Sequence, residues 1–348
     1  MMDHPTLLHN QIKQFGSLLL MLLQQTGRPA AGTRQSGRPA TFLNLLYIFV
    51  FMANVLPILK VSGLYIYPIK SLPGISLQQA RVTPKGFEHD RRWMLVDENN
   101  MFMSQREIPE LTQLAVVIEE SGLRITHKLS GDSILVPFNY PATNPTAQVT
   151  IWDDVCTAQF ISDEVDEWFS KAIGIKCRLV YMPDDSMRIV DQLYAIEESI
   201  TSFSDGYPFL LIGQASLNEL NSRLAEPLPM DRFRPNIVFT DGEPFEEDLM
   251  GHFTIGDISF YGVKLCARCV MTTIDQEKGC KGKEPLKTLA SYRLKNNKIL
   301  FGQNLVHKGN GVVAINDQLT VTSKNVDERF IVEPVVKKRP VDIDKKLV

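Results

Sequence analysis

Two cysteines three positions apart, Cys266 and Cys269, stand in LCARCVMTTID (residues 265–275), where the strand-like run ISFYGVKL ends. A thiolate is the soft donor that a heavy transition metal prefers, and it is also a nucleophile. Arg268 beside Cys269 favours the ionised thiol, and Thr272 and Thr273 bring hydroxyls to the same turn. A structural zinc site needs four ligands, and Cys266, Cys269 and Cys280 find a fourth only in His307. A thioredoxin-type redox pair opens a helix in a βαβ unit, whereas this pair ends a strand. Two inert buried thiols would have the same spacing.

Three further segments place cations where an anion could bind. YPIKS (Tyr67–Ser71) sets Lys70 and Ser71 at a strand end before a Pro-Gly turn, where they can hold a phosphate-like group or simply be solvated. In HDRRWML, Arg91 and Arg92 precede a strand and must point to opposite sides, one into a site and one to solvent. In FRPNIVF (Phe233–Phe239), Arg234 and Asn236 share a face at period two, and arginine offers a planar fork to phosphate or carboxylate. A structural Arg-Pro-Asn turn is the alternative there. Ser216 and Glu219 have capping-box spacing ahead of Leu220 and Leu224. Glu246, Glu247 and Asp248 read as a solvated turn. Gly302 in FGQN implies a close backbone approach, to a ligand or to another strand. The histidines His89, His127, His252 and His307 are scattered and receive no catalytic role.

The elements that must position these groups are mostly strands. Alternating or β-branched runs follow one another from Lys60: VSGLYIY, ARVT, RWMLV, LAVVIEE, LRITH, SILVPF and QVTIW, then NIVFT, ISFYGVKL, GVVAI and LTVTS. Helices are expected at Ser162–Ala172 with Ser162 as N-cap, from Ser216, and at Leu286–Leu294 after Pro285. The pattern gives a β-rich first half and a mixed, barrel-like second half, joined in the polar stretch Asp184–Asp205. Among 348 residues, 44% are hydrophobic and 22% charged, which excludes wholesale disorder. A net charge of -3 argues against a nucleic-acid binder held by bulk positive charge, and five sparse cysteines against a secreted disulfide scaffold. Up to Lys85 the only acid is Asp3, and Thr41–Leu59 runs 19 residues without a charge. Since about 20 residues cross a bilayer, that stretch reads as an anchor, as a transit-like leader, or as an extension ahead of a true start at Met52.

YPIKS with HDRRWML, then GYPFLLIGQASLNEL, FRPNIVF, FEEDL, CARCVMTTID, EPLKTLASYR and FGQNL, in this order from about Val61 to Val321, closely resembles the MOSC superfamily. The branch it is similar to holds bacterial YcbX-type proteins and the mitochondrial amidoxime-reducing components. The resemblance implies an α+β, β-rich fold: a MOSC N-terminal β-barrel domain at 59–183 packed on a mixed β-barrel MOSC domain at 184–340 with a few helices. Residues 1–58 would form an extension and 341–348 a basic tail. It implies a molybdenum cofactor (Mo-molybdopterin) enzyme that reduces N-hydroxylated compounds, with Cys269 as metal ligand and catalytic residue and Cys266 as its non-ligating neighbour. Lys70, Ser71, Arg91, Arg234 and Arg268 fall at cofactor-contacting positions, with Asn236 and Thr273 beside them; Asp275 lies near enough in sequence to be a proton-donor candidate. With no cysteine after Cys280, electrons would come from a separate donor, a flavoprotein reductase with a heme or iron–sulfur carrier. A cytoplasmic location follows, or membrane anchoring through residues 41–59 with the catalytic domains on the cytosolic side. The alternative function is a sulfur carrier that uses a Cys269 persulfide. A cofactor-storage protein without turnover is a third.

Overall fold

Alternation in LKVSGLYI (Leu59–Ile66, β1) buries Leu59, Val61, Leu64 and Ile66 and leaves Lys60 and Ser62 exposed, as a half-buried strand requires. Six more strands share its core: β2 (Phe209–Gly213), β3 (Ile237–Thr240), β4 (Met250–Ile255), β5 (Ile258–Ala267), β6 (Lys298–Lys308) and β7 (Gln318–Lys324). They pair in the order β2-β3-β1-β7-β4-β5-β6, and β6 returns to β2 to close a mixed barrel. The computed structural model describes residues 58–332. Of the uncharged stretch Thr41–Leu59, only Ile58 and Leu59 are therefore described, and the basic tail lies outside the described residues. Among the described residues no helix is long and apolar enough to cross a membrane.

The barrel is filled by aromatic side chains. Phe209, Phe239, Phe253 and Phe260 are all buried, with Phe209 edge-on to Phe260 at 5.4 Å and Phe253 stacked on Phe260 at 5.5 Å. Each such ring contributes about 1.5–3 kcal/mol of burial energy. Every neighbouring pair is antiparallel except β2–β3, which is parallel and needs a crossover.

The described residues hold three α-helices, α1 (Asp163–Ile173), α2 (Gln214–Asn221) and α3 (Leu286–Ala290), of which α2 makes that crossover. The capping box expected at Ser216 is not formed. Gly213 occupies the N-cap, and Ser216, inside the first turn, donates to Glu247 Oε2 and accepts from the Phe245 amide, each at 2.7 Å. Helix α3 stops at Ala290, short of the expected Leu294, because Leu294 and Lys295 pair with Ile299 and Lys298.

Residues 93–181 form two further sheets. One joins Trp93–Val96, Arg178–Tyr181, Asp154–Phe160 and Thr146–Ile151; the other is the meander Leu114–Glu119, Gly122–His127, Ser133–Pro137. Helix α1 lays Val165, Phe169 and Ile173, four residues apart each time, onto Leu111, Leu123, Ile125 and Val136 of that core. Ser162 caps it as expected, accepting from the Val165 amide. The polar stretch that follows is clamped down. Arg188 is buried and binds the carbonyls of Ser202 and Ser204 and the Asp154 carboxylate, which fixes the chain as it reaches Asp205.

The acidic run is not the solvated turn its composition suggests. Glu247 and Asp248 are buried in a 3-10 turn, Glu246–Leu249, that packs on β2, β5 and β6. Asp248 meets Arg293 at 2.5 Å, and Glu247 meets Ser216. Both partners are remote in sequence. Burial, reinforced for Glu247 by the neighbouring Asp248 charge, pushes both carboxyls above their ordinary range. The native state then holds protons that the unfolded chain has released. Their contribution to stability is complete below the ordinary aspartate and glutamate values of 3.8 and 4.5 and is lost as pH rises towards neutrality. Glu247→Gln is expected to flatten this descent, checked by thermal unfolding from about pH 5 to about pH 8. A parent protein whose melting temperature does not fall over that range, or a variant that falls as steeply, contradicts the assignment.

Candidate active site

β1 ends at Ile66, and the next residues turn inward across the barrel mouth. The Lys70 amide donates to the Trp93 carbonyl at 2.7 Å, and Ser71 takes a left-handed backbone with φ 68°. Arg91 (φ 51°) and Arg234 (φ 54°) are left-handed too. Non-glycine residues rarely accept this geometry, and it clusters at ligand clamps. The three chain ends converge on a cavity of about 800 Å³, its open mouth included. Lys70, Ser71, Arg91, Arg234, Asn236, Arg268 and Cys269 all line it.

Arg91 is the most tightly held cation. It donates to Asp90 Oδ2 at 2.6 Å, to Asn236 Oδ1 at 3.2 Å and to the Arg234 carbonyl at 3.3 Å. Arg92 points the other way, although the left-handed turn at Arg91, not strand alternation, separates the two. It is not solvated, however, because Tyr181 Oη, the Met182 carbonyl and Asp184 hold it. Lys70 is buried, which lowers its pKa to about 8, against the pull of Asp205, whose Oδ1 lies 2.6 Å away. Neighbouring protein atoms oppose ionisation of Asp205 although its side chain is exposed, yet Lys70 and Arg106 hold its carboxyl well below the usual range. Arg234 rests on the Tyr67 ring at 4.1 Å, and burial brings its pKa down to about 10. Arg268 donates to the carbonyls of Phe301 and Phe233, while its buried Nη2 has no partner among the described residues. The glycine at 302, φ 81°, is required here: a Cβ would stand 2.8 Å from Ile212 and 3.1 Å from that Nη2. The close approach signalled by FGQN is therefore to β2 and to Arg268.

Cys269 is exposed at the cavity rim, where Arg106 Nε donates to its Sγ at 3.4 Å. Cys266 is half-buried, and burial pushes its thiol up. The zinc alternative has no geometry behind it. His307 lies in β6 against the rings of Phe209 and Phe260, and no three metal-binding side chains cluster among the described residues.

Two of the expected site residues lie outside the cavity lining. Thr273 is buried and donates to the Val270 carbonyl. Asp275 accepts from the amides of Lys278 and Glu277, and those bonds, the Lys278 amide foremost, keep its carboxyl below the ordinary range. A carboxyl held ionised in this way is a poor proton donor. The lining also contains Arg106, Asp205 and Arg232, which the motifs did not single out. Six cations (Lys70, Arg91, Arg106, Arg232, Arg234, Arg268) thus face one lining carboxylate, Asp205. Such an imbalance, beside an accessible thiol, fits a group that is both anionic and able to take a sulfur ligand.

The chain matches the MOSC N-terminal beta barrel domain over residues 58–176 and the MOSC domain over residues 198–320. It is 32% identical over 275 residues to mitochondrial amidoxime-reducing component 1 of Mus musculus, covering 74% of this chain and 80% of that protein. Against mitochondrial amidoxime reducing component 2 of Rattus norvegicus it is 34% identical over 245 residues, 67% of this chain and 72% of that one. It is also 33% identical over 263 residues to molybdenum cofactor sulfurase of Oryza sativa subsp. japonica, 70% of this chain but 32% of that longer protein. By both domain matches and by these relatives, the chain belongs to the MOSC superfamily, alongside the mitochondrial amidoxime-reducing components.

Proposed function

We propose that this protein is a molybdenum-cofactor-dependent reductase of N-hydroxylated compounds such as amidoximes, hydroxylamines and N-hydroxylated bases, fed by a separate electron donor. The observation that best supports this reading is the set of guanidiniums of Arg232, Arg234 and Arg268. They line the cavity around the exposed Cys269 with no carboxylate in salt-bridge range among the described residues. The names of the relatives carry matching chemistry, amidoxime reduction and molybdenum cofactor sulfuration.

Lys70, Ser71, Arg91, Arg234, Asn236 and Arg268 would hold the pterin and its phosphate, with Cys269 Sγ as the protein's ligand to the metal. When bound, the cofactor supplies a metal centre that takes oxygen from an N–O bond and is re-reduced by the donor. The overall reaction balances as R–NHOH plus two electrons and two protons giving R–NH₂ and water. Within the chain, Arg106 orients Sγ through its Nε–H bond. Asp205, exposed and ionised at the mouth, is an acceptor for the N–OH group. Thr273 and Asp275 have no part in this scheme.

Protein purified from a cofactor-competent host is expected to carry near-stoichiometric molybdenum and pterin and to reduce benzamidoxime with a reducing dye. Cys269→Ser is expected to lose that activity and most of the metal. Full activity in the variant would sink the assignment of Cys269. Metal-free protein with a cyanide-labile sulfur on Cys269 would establish the sulfur carrier instead.

The cations give a second expectation, read with inorganic pyrophosphate as a probe. Lys70 binds an anion only while protonated, so affinity should fall as pH passes its value of about 8. Lys70→Arg keeps its charge and should lose that step. Arg234→Met should weaken binding at every pH by about 1.5–3 kcal/mol, tenfold or more. Calorimetric titrations on either side of pH 8 test both, and a pH-independent parent would exclude Lys70 from the anion site.

A further inference from the structure

Trp152 occupies the tip of the hairpin joining Thr146–Ile151 to Asp154–Phe160, yet it is anchored like a core residue. Its indole N–H donates to Asp205 Oδ1 at 3.4 Å, Phe102 meets it edge-on at 4.8 Å, and the Arg106 guanidinium lies over its ring at 4.3 Å. The backbone adopts φ 57°, a strained value for a bulky side chain. Despite these contacts, 43% of the residue stays exposed. Arg106 then donates to Cys269 Sγ, so two contacts connect the indole to the thiol. Met101, 40% exposed, pairs with Thr150 two residues before Trp152, near the tip of the hairpin.

We infer that Trp152 forms an aromatic subsite at the mouth of the cavity, which takes the flat, uncharged ring of an aryl N-hydroxylated substrate such as an arylamidoxime. This deepens the proposed reductase reading and rests on it. The strained backbone holds a partly exposed indole against Arg106 and Asp205, both of which line the cavity. An indole face binds planar rings by offset stacking. Asp205, bonded to the same indole, is left to accept from the N–OH end.

The test compares Trp152→Ala and Trp152→Phe in the cofactor-loaded protein. For benzamidoxime, KM should rise about five- to tenfold in Trp152→Ala and less than twofold in Trp152→Phe, from the worth of one stacked pair. For methylhydroxylamine, which has no ring, any change reports only the loosened Asp205 and Arg106, so in Trp152→Ala the KM for benzamidoxime should rise about five- to tenfold more than that for methylhydroxylamine. A readout independent of turnover is tryptophan emission of the oxidised protein, titrated with benzamidoxime in the absence of reductant. Quenching in the parent should disappear in Trp152→Phe, leaving Trp93 and Trp168 unquenched. Equal KM changes for the two substrates, or quenching that survives the substitution, would overturn the subsite. If the protein reduces no N-hydroxylated compound but Trp152-dependent quenching persists, the ring site stands and the reductase reading falls.

Discussion

Arg91 and Arg234 place their guanidiniums over the same Tyr67 ring, at 4.5 and 4.1 Å, and everything else at the barrel mouth follows from making that arrangement tolerable. Two like charges so close repel unless something negative is held equally close. Asp90 does this from complete burial, with Oδ2 2.6 Å from Arg91 and Oδ1 accepting from the Tyr67 amide at 2.8 Å. Asn236 completes the knot: its carbonyl oxygen accepts from Arg91 and the Leu210 amide, and its amide donates to the Tyr65 carbonyl. These bonds tie together the end of β1, the start of β2 and the start of β3. Compensation is only partial, because among the described residues Arg234 has no carboxylate in salt-bridge range, and its burial is opposed chiefly by Tyr67. The remaining positive charge is a standing demand for an anionic ligand.

The barrel makes this crowding affordable. Left-handed backbone at Ser71, Arg91 and Arg234 costs about 1–3 kcal/mol each, and it survives only where the surroundings over-determine it. The Arg91 amide donates to Tyr67 O, the Arg234 amide to Asp231 O, and the Lys70 amide to Trp93 O. These bonds fix the strained residues or their neighbours against the 3-10 turn Met230–Phe233, the strand Trp93–Val96 and the buried Tyr67 that follows β1. Loops positioned by a rigid scaffold are where binding groups are expected, and here the scaffold is a closed sheet without free edges at the seven paired strands.

Local pattern made the strands legible, and helix α1 with its Ser162 cap, because those signals lie within a few residues of one another. The convergence of YPIKS, HDRRW, FRPN and CARC was legible through resemblance; their individual spacing left each one open to a bland reading. What stayed hidden depends on partners far along the chain. β1 lies between β3 and β7, so Leu59 pairs with Leu319, which no local window can show. Glu247 and Asp248 look solvated until Ser216 and Arg293 are brought to them. Arg106 and Asp205 come from unremarkable polar turns and gain meaning only beside Cys269 and Lys70. Asp275 was placed by proximity in sequence, and the turn Asp275–Lys278 consumes its carboxylate instead.

The position of the reactive thiol is itself a consequence of strand register. β5 and β6 run in ordinary antiparallel pairing from Ser259 to Gly262, then slip between Gly262 and Lys264 and again between Leu265 and Ala267. Such irregularities re-aim side chains, since a one-residue shift turns a strand's faces over. After the second slip the Arg268 amide still finds a partner, the Ile299 carbonyl at 2.7 Å, and its side chain reaches the carbonyls of Phe233 and Phe301. Cys269 is the next residue and caps the 3-10 turn Val270–Thr273, outside the sheet and exposed. Cys266, on the sheet side of both, keeps a half-buried thiol whose ionisation burial opposes. Three positions along one strand end thus separate a shielded sulfur from an accessible one, with a cation anchored between them.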